Sequence, residues 1–143
     1  MKRNGDIIII EDDPDDWEVL INVLEKVMKE QKYDNRVIVF EDSTMVLEYL
    51  KESEAELFMV ISDINMPLLD GLELRKTICD DPILNKRCIP YVFLTTGAVN
   101  NNQINKAKEL SVQGFFEKPA SLKDYRKLIA EILGYWQKTL VFQ

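Results

Sequence analysis

Acidic residues stand directly after two of the hydrophobic runs in this chain. Glu11 and Asp12 follow the run at 7–10, and Asp63 follows the run at 57–62. Carboxylates packed close together raise one another's pKa values and cost stability, unless a cation offsets their charge. Mg²⁺ prefers oxygen ligands, uses few protein carboxylates and keeps positions for water and a phosphoryl oxygen. The pattern therefore predicts a magnesium site, with Mn²⁺ as an alternative ion.

A hydroxyl and an ammonium group stand after two later hydrophobic runs. Thr95 follows the run at 91–94, and Lys118 follows the run at 115–116. In an open parallel sheet, ligands bind beyond the carboxyl ends of the strands, where the strand order reverses. If these runs are strands of one such sheet, three carboxylates, a hydroxyl and an ammonium group converge at its edge.

The acids that follow this pair also have a purely structural explanation. Asp13 precedes Pro14, which is the arrangement of a helix N-cap with a first-turn proline. Acids in the first turn complement the positive end of the helix dipole. This explains Asp13, Asp15 and Asp16, but not the two acids before them. We therefore assign the metal to the earlier pair and expect Asp15 and Asp16 to matter little for it.

Short hydrophobic runs alternate with segments of helical periodicity along the chain. Such alternation with short links predicts an α/β fold, in which helices cover both faces of a parallel sheet. The predicted strands are 7–10, 37–40, 57–62, 91–94 and 115–116, and the predicted helices are 14–28, 44–50, 72–78, 103–110 and 122–133. Asp81-Pro82 is expected to stop the third helix.

Composition narrows the classes of function. The chain has 143 residues and a net charge of −7, so one acidic domain is expected and nucleic-acid binding is not. It contains no histidine, which excludes a Ser-His-Asp triad and a His-ligated zinc site. No run is long enough for a membrane helix and no signal peptide is visible, so we expect a cytoplasmic protein that does not bind membranes.

Four motifs follow one another along the chain: Ile9-Ile10-Glu11-Asp12-Asp13, Asp63-Ile64-Asn65-Met66-Pro67-Leu68-Leu69-Asp70-Gly71, Phe93-Leu94-Thr95-Thr96 and Phe115-Phe116-Glu117-Lys118-Pro119. In this order they resemble the receiver domain of two-component response regulators. The resemblance covers the chain from about Asp6 to Leu133 and implies a flavodoxin-like, doubly wound parallel sheet of strand order 2-1-3-4-5 with five helices. It also implies a domain at 1–133 and a short tail at 134–143.

The resemblance implies a stand-alone phosphorelay receiver that is not an enzyme toward an external substrate. A sensor histidine kinase or a histidine phosphotransfer protein would phosphorylate Asp63. The metal ligands would be Glu11, Asp12, Asp63 and the backbone carbonyl of Asn65. Output would pass through a changed surface to a downstream protein or to a second copy of the chain.

The remaining matched residues would hold the phosphoryl group and report its presence. Thr95, Thr96 and Lys118 would contact the phosphoryl oxygens, and Thr95 with Phe115 would form the switch. Phe115 is equally well explained as a core aromatic residue. Pro119 is a candidate for a cis peptide bond that aims Lys118 inward. Asp70 and Gly71 are attributed to a tight turn.

Two other classes use a similar fold. A phosphohydrolase of the haloacid dehalogenase type has a second aspartate two residues after its nucleophile, but Asn65 stands there and cannot transfer a proton at neutral pH. A flavodoxin-like cofactor binder needs a loop whose amides cradle phosphate after the first strand, whereas the acids at 11–16 would repel phosphate without a metal.

The tail at 134–143 contains several hydrophobic residues, which either pack on their own domain or extend a partner surface. They are Tyr135, Trp136, Leu140, Val141 and Phe142.

Overall fold

A single five-stranded sheet forms the centre of the molecule, and all of its strand pairs are parallel. The computed structural model describes residues 2–52, 56–66, 70–86, 89–96 and 99–139. The strand order β2-β1-β3-β4-β5 confirms the predicted topology. The strands are β1 (Asp6–Ile10), β2 (Val37–Phe40), β3 (Leu57–Ser62), β4 (Tyr91–Thr95) and β5 (Gly114–Glu117).

Six helices, one more than the sequence predicts, occur in the described part of the chain. The extra helix is a single turn that starts at Pro82. The Asp81 side chain accepts hydrogen bonds from the backbone N–H groups of Ile83 and Leu84, so Asp81-Pro82 starts a helix as well as ending the one before it. The helices are α1 (Pro14–Gln31), α2 (Ser43–Glu52), α3 (Gly71–Asp80), α4 (Pro82–Asn85), α5 (Asn101–Glu109) and α6 (Leu122–Lys138).

Both faces of the sheet are covered, which explains why β1 is a continuous run of isoleucine rather than an alternating pattern. Ile7 and Ile9 pack in a core with α1 and α6, whereas Ile8 and Ile10 pack in a second core with α2 to α5. All four isoleucine side chains are fully buried. The sheet is therefore a rigid layer from which the loops at its carboxyl edge project.

The strand order reverses between β1 and β3, and this reversal positions the site. The chain leaves β1 toward β2 on one side and then places β3 on the other side of β1. Ile10 lies in register with Ser62, so the residues that follow these two strands leave the sheet side by side. A crevice at such a reversal is where ligands bind in open α/β sheets.

Helix α6 extends beyond the predicted end of the domain. It runs through Lys138, so the predicted boundary after Leu133 falls inside the helix. Its end is tied to the N-terminal segment: Arg3 Nη2 donates to the Thr139 carbonyl oxygen at 2.6 Å, and Gln137 Nε2 donates to the Arg3 carbonyl oxygen at 2.9 Å.

The residues of the predicted tail differ in their surroundings. Trp136 packs against the core beside α1, whereas Tyr135 is 63% exposed. Residues 140–143, which include Leu140, Val141 and Phe142, lie outside the described residues. Among the helices of the described segments, none has the length and apolar character needed to cross a membrane.

Candidate functional site

Three carboxylates meet at the carboxyl ends of β1 and β3. Glu11, Asp12 and Asp63 each offer one oxygen, and these oxygens lie within 4.8 Å of one another. Glu11 is 3% exposed and Asp63 is 7% exposed, while Asp12 is partly exposed. The backbone N–H of Asp63 donates to the Ile10 carbonyl oxygen at 3.0 Å. The two strand ends are thus bonded to each other where the acids begin.

Asp63 is held in one orientation by its immediate neighbours. Its Oδ1 accepts a hydrogen bond from the Ile64 backbone N–H at 2.7 Å. Its carbonyl oxygen accepts one from Ser62 Oγ at 2.8 Å. The Ile64 bond thus orients the Asp63 carboxylate, and the Ser62 bond holds the Asp63 backbone.

Glu11 is an acid whose pKa changes strongly in this environment. Burial, followed by the neighbouring Asp63 carboxyl, raises the pKa of Glu11 to about 9, although the Lys118 ammonium acts to lower it. Glu11 Oε2 is buried and has no hydrogen-bond partner among the described residues. An unpaired oxygen beside two further carboxylates fits a hard divalent cation, because such an ion takes oxygen ligands and offsets their repulsion.

Lys118 enters the site from the loop after β5. Its side chain is only 8% exposed, and Nζ lies 3.4 Å from Glu11 Oε1 and 3.8 Å from Asp16 Oδ2. Its backbone N–H donates to the Thr95 carbonyl oxygen at 2.9 Å. The suggestion of a cis bond before Pro119 is wrong: the described residues contain no cis peptide bond, in keeping with the trans preference of X-Pro bonds.

Thr95 and Thr96 differ sharply in exposure at the end of β4. Thr95 is 1% exposed and Thr96 is exposed. The Thr95 hydroxyl donates to the Thr96 carbonyl oxygen at 3.4 Å, which is long for an O–H···O bond. The buried hydroxyl is therefore weakly held at the same sheet edge as the acids. Phosphoryl contacts by either threonine remain a prediction.

Asn65 and Phe115 lie where the sequence places them, but their assigned roles remain predictions. Asn65 is exposed, and its Oδ1 accepts a long hydrogen bond of 3.5 Å from Gln103 Nε2 at the start of α5. Phe115 is half-buried against the core beside α2 to α5, with its ring centroid 5.8 Å from that of Phe93. This packing agrees with a core aromatic residue and leaves the switch role open.

Gly71 has a more specific role than the turn that the sequence suggests. It is the first residue of α3, and Asp70 is the N-cap, accepting from the Glu73 backbone N–H at 2.8 Å. A Cβ added at Gly71 would overlap the Asp63 carbonyl oxygen and lie 2.9 Å from Ile64 Cα. Asp-Gly directly before a helical pattern is an N-cap signal, but only the fold shows what the glycine contacts. Pro67, Leu68 and Leu69 lie outside the described residues.

Asp16 and Tyr125 are neighbours of the site that the sequence pattern does not assign to it. Asp16 contacts Lys118, as described above. Tyr125, predicted only as an apolar position of the last helix, has a buried hydroxyl without a hydrogen-bond partner among the described residues. Burial raises the pKa of Tyr125, and the negative charges of Asp16, Glu11 and Asp63 raise it further. The phenol therefore stays neutral beside the acids.

Comparison with known proteins gives one consistent family. A family model described as the response regulator receiver domain matches residues 7–130. Response regulator Rcp1 of Synechocystis is 27% identical over 139 residues, which cover 94% of this chain and 90% of Rcp1.

Solved structures agree with that match. The Mn²⁺-bound form of Rcp1 superposes with a TM-score of 0.79 at 28% identity, covering 97% of this chain and 99% of that one. The phosphorylated cyanobacterial phytochrome response regulator RcpA gives a TM-score of 0.79 at 23% identity, covering 96% of this chain and 97% of that one. At that lower identity, the second likeness supports the fold alone.

Gly71→Ala should destabilise the protein, because the new Cβ must displace the Asp63–Ile64 backbone. Overpacking of this kind costs about 1–3 kcal/mol. Gly134→Ala is the matched control: nothing lies within 4 Å of a Cβ at that position in α6, and alanine should stabilise the helix by roughly 0.5–1 kcal/mol. Urea unfolding measures both changes. Equal effects of the two variants would contradict the close contact at Gly71.

Glu11→Gln should reduce the pH dependence of stability in the metal-free protein. Burial holds the folded pKa of Glu11 near 9, above its ordinary value of 4.5, so between these pH values the folded state binds the extra proton. Wild-type stability should therefore fall as pH rises through this window, by at most about 1.4 kcal/mol per pH unit.

The measurement is the urea midpoint at several pH values in the presence of a chelator. Glu25→Gln, an exposed change on α1, serves as control and should keep the wild-type slope. If Glu11→Gln has the same slope as wild type, the assignment of the buried proton to Glu11 is wrong.

Proposed function

Because the chain belongs to the response regulator receiver domain family, we propose that it accepts a phosphoryl group on Asp63 and signals through a changed surface. The donor is the phosphohistidine of a sensor histidine kinase or a phosphotransfer protein. The observation that carries this proposal is the meeting of three carboxylates within 4.8 Å, with the buried Lys118 ammonium beside them, at the edge where Thr95 also lies. The chain performs no reaction on an external substrate.

Magnesium is the ion proposed for the acidic site, with manganese as the alternative. The carboxylates of Glu11, Asp12 and Asp63 and the backbone carbonyl of Asn65 would hold it. The unpaired, buried Glu11 Oε2 supports this assignment, and the similar protein Rcp1 has a Mn²⁺-bound form. When bound, the ion supplies positive charge to the carboxylates and to the phosphoryl oxygens.

Transfer requires an ionised Asp63 aimed at the phosphorus atom. The Ile64 N–H bond to Oδ1 fixes the side chain, so the nucleophile is already oriented when the donor arrives. A carboxylate oxygen attacks in line, the P–O bond forms, and the P–N bond to the donor imidazole breaks. The Lys118 ammonium, which lies 3.4 Å from Glu11 Oε1, neutralises charge on the equatorial oxygens.

The switch begins at Thr95, whose hydroxyl is held only by a long bond to the Thr96 carbonyl oxygen. A phosphoryl oxygen is a stronger acceptor, so it draws the hydroxyl toward Asp63. The movement passes along the segment 96–116, which includes α5 and the switch candidate Phe115. The face formed by α5, β5 and α6 therefore changes most.

The same face supplies the proposed output surface. On its β5–α6 side lies a groove of about 410 Å³, lined in part by Phe116, Leu128 and Trp136, and Leu122 and Tyr135 are exposed on α6. A downstream protein or a second copy of the chain is the proposed occupant, in the cytoplasm. Nucleic acid is not a proposed occupant of this surface, because the net charge of the chain is −7.

The haloacid dehalogenase alternative finds no support. Its general acid would have to stand at Asn65, which carries an amide and contacts Gln103. The family match over residues 7–130 is to receivers.

Asp63→Asn should abolish phosphorylation, because the amide is not a nucleophile. Wild type, incubated with a small phosphodonor and Mg²⁺, should gain one base-labile phosphoryl group by intact mass, and a chelator should prevent the gain. Asp70→Asn is the matched control, since asparagine also caps a helix and Asp70 caps α3. Undiminished labelling of Asp63→Asn would refute the assignment.

Beryllium fluoride, which mimics the phosphoryl group, should strengthen association or slow amide exchange on the proposed output face. Sedimentation measures the first effect, and amide exchange between Thr95 and Lys118 measures the second. The control is Asp63→Asn, which should show neither change. Identical behaviour of wild type with and without the mimic would contradict a switch at this face.

A further inference from the structure

Two adjacent acids in the first turn of α1 have different environments. Asp15 is exposed, and its backbone N–H donates to Asp13 Oδ1 at 2.9 Å. The Asp16 side chain is 34% exposed, and its Oδ2 lies 3.8 Å from Lys118 Nζ. The sequence attributes both acids to the helix dipole. The structure separates them, because of these two acids Asp16 pairs with Lys118 and Asp15 does not, within the described part of the chain.

Lys118 is held between two acidic side chains on one side of the site. Glu11 Oε1 lies 3.4 Å from Nζ, and Asp16 Oδ2 lies 3.8 Å from it. A nearly buried ammonium group needs such partners, because it has lost most of its water. Within the described segments, the ion pairs of Lys118 do not include Asp63. The ammonium is thus directed toward the segment that joins β1 to α1.

We propose that Asp16 is a positioning residue that competes with the phosphoryl group on Asp63 for the Lys118 ammonium. The inference rests on the proposed function. Before phosphorylation, Asp16 helps to hold Lys118 on the α1 side. After phosphorylation, Lys118 turns to the phosphoryl oxygens and gives up the contact with Asp16. That contact is released more easily than the one with Glu11, because water can reach the partly exposed Asp16 carboxylate and cannot reach the 3% exposed Glu11 side chain.

The expected size of the effect follows from this exposure. Pairs between partly exposed charges typically change an equilibrium constant by roughly two- to fivefold. Removing the Asp16 charge should therefore favour the phosphoryl-bound state by about that factor. A larger effect would require a fully buried pair, which the 34% exposure of Asp16 does not provide.

The test compares Asp16→Asn with Asp15→Asn. Both variants remove one negative charge from the same turn of α1, so their effects on net charge and on the helix dipole are matched. Beryllium fluoride binding is measured by calorimetry at saturating Mg²⁺. Asp16→Asn should bind the mimic roughly two- to fivefold more tightly than wild type, and Asp15→Asn should bind it as wild type does.

Two further measurements show whether Asp16 acts through Lys118. In a Lys118→Met background, Asp16→Asn should no longer tighten binding, because the two residues act as one pair. In phosphoryl-free protein, the NMR chemical shift of the Lys118 side chain should change in Asp16→Asn and should be unchanged in Asp15→Asn. Equal tightening with and without Lys118, or an unmoved resonance in Asp16→Asn, would overturn the proposal.

The outcomes also separate this inference from the proposed function. If wild type binds the mimic and is phosphorylated, but the two variants behave alike, only the role of Asp16 is wrong. If wild type neither binds the mimic nor accepts a phosphoryl group, the proposed function fails and the inference fails with it.

Discussion

The burial of Glu11 beside two other carboxylates is the constraint on which the site depends. Parallel pairing of β1 with β3 brings the acids that follow both strands to one edge. Burial and the neighbouring Asp63 raise the pKa of Glu11 to about 9, and the Lys118 ammonium offsets only part of this effect. The fold thus holds three acidic groups close together, and without a cation Glu11 keeps its proton up to about pH 9. A site of this kind gains most from ligands that bring positive charge, which is why a divalent metal fits it.

The rest of the molecule keeps these groups in place. Two separate hydrophobic cores cover the faces of the sheet, so the strands that carry the acids are packed on both sides. On the α3 side, Gly71 lies directly against the Asp63–Ile64 backbone and donates to the Ile64 carbonyl oxygen at 2.7 Å. The acids therefore project from a rigid support.

Lys118 joins the acids to the strand end that carries Thr95. Its ammonium contacts Glu11 and Asp16, and its backbone N–H donates to the carbonyl oxygen of Thr95. The ends of β4 and β5 are therefore bonded to each other, as the ends of β1 and β3 are. A change at the ammonium and a change at the Thr95 hydroxyl act on the same pair of strand ends. This connection gives a physical route from the acids to the face formed by α5, β5 and α6.

The sequence by itself determined the strand and helix order, because short hydrophobic runs and helical periodicity are local properties. It also predicted that Glu11, Asp12, Asp63, Thr95 and Lys118 lie at one edge of the sheet, since residues at the ends of parallel strands share that edge. It missed α4, because a residue pair that ends one helix can also begin another. Only the tertiary structure separated Asp15 from Asp16 and showed what Gly71 contacts. Those facts depend on which distant segment packs against each residue, and no local pattern encodes that.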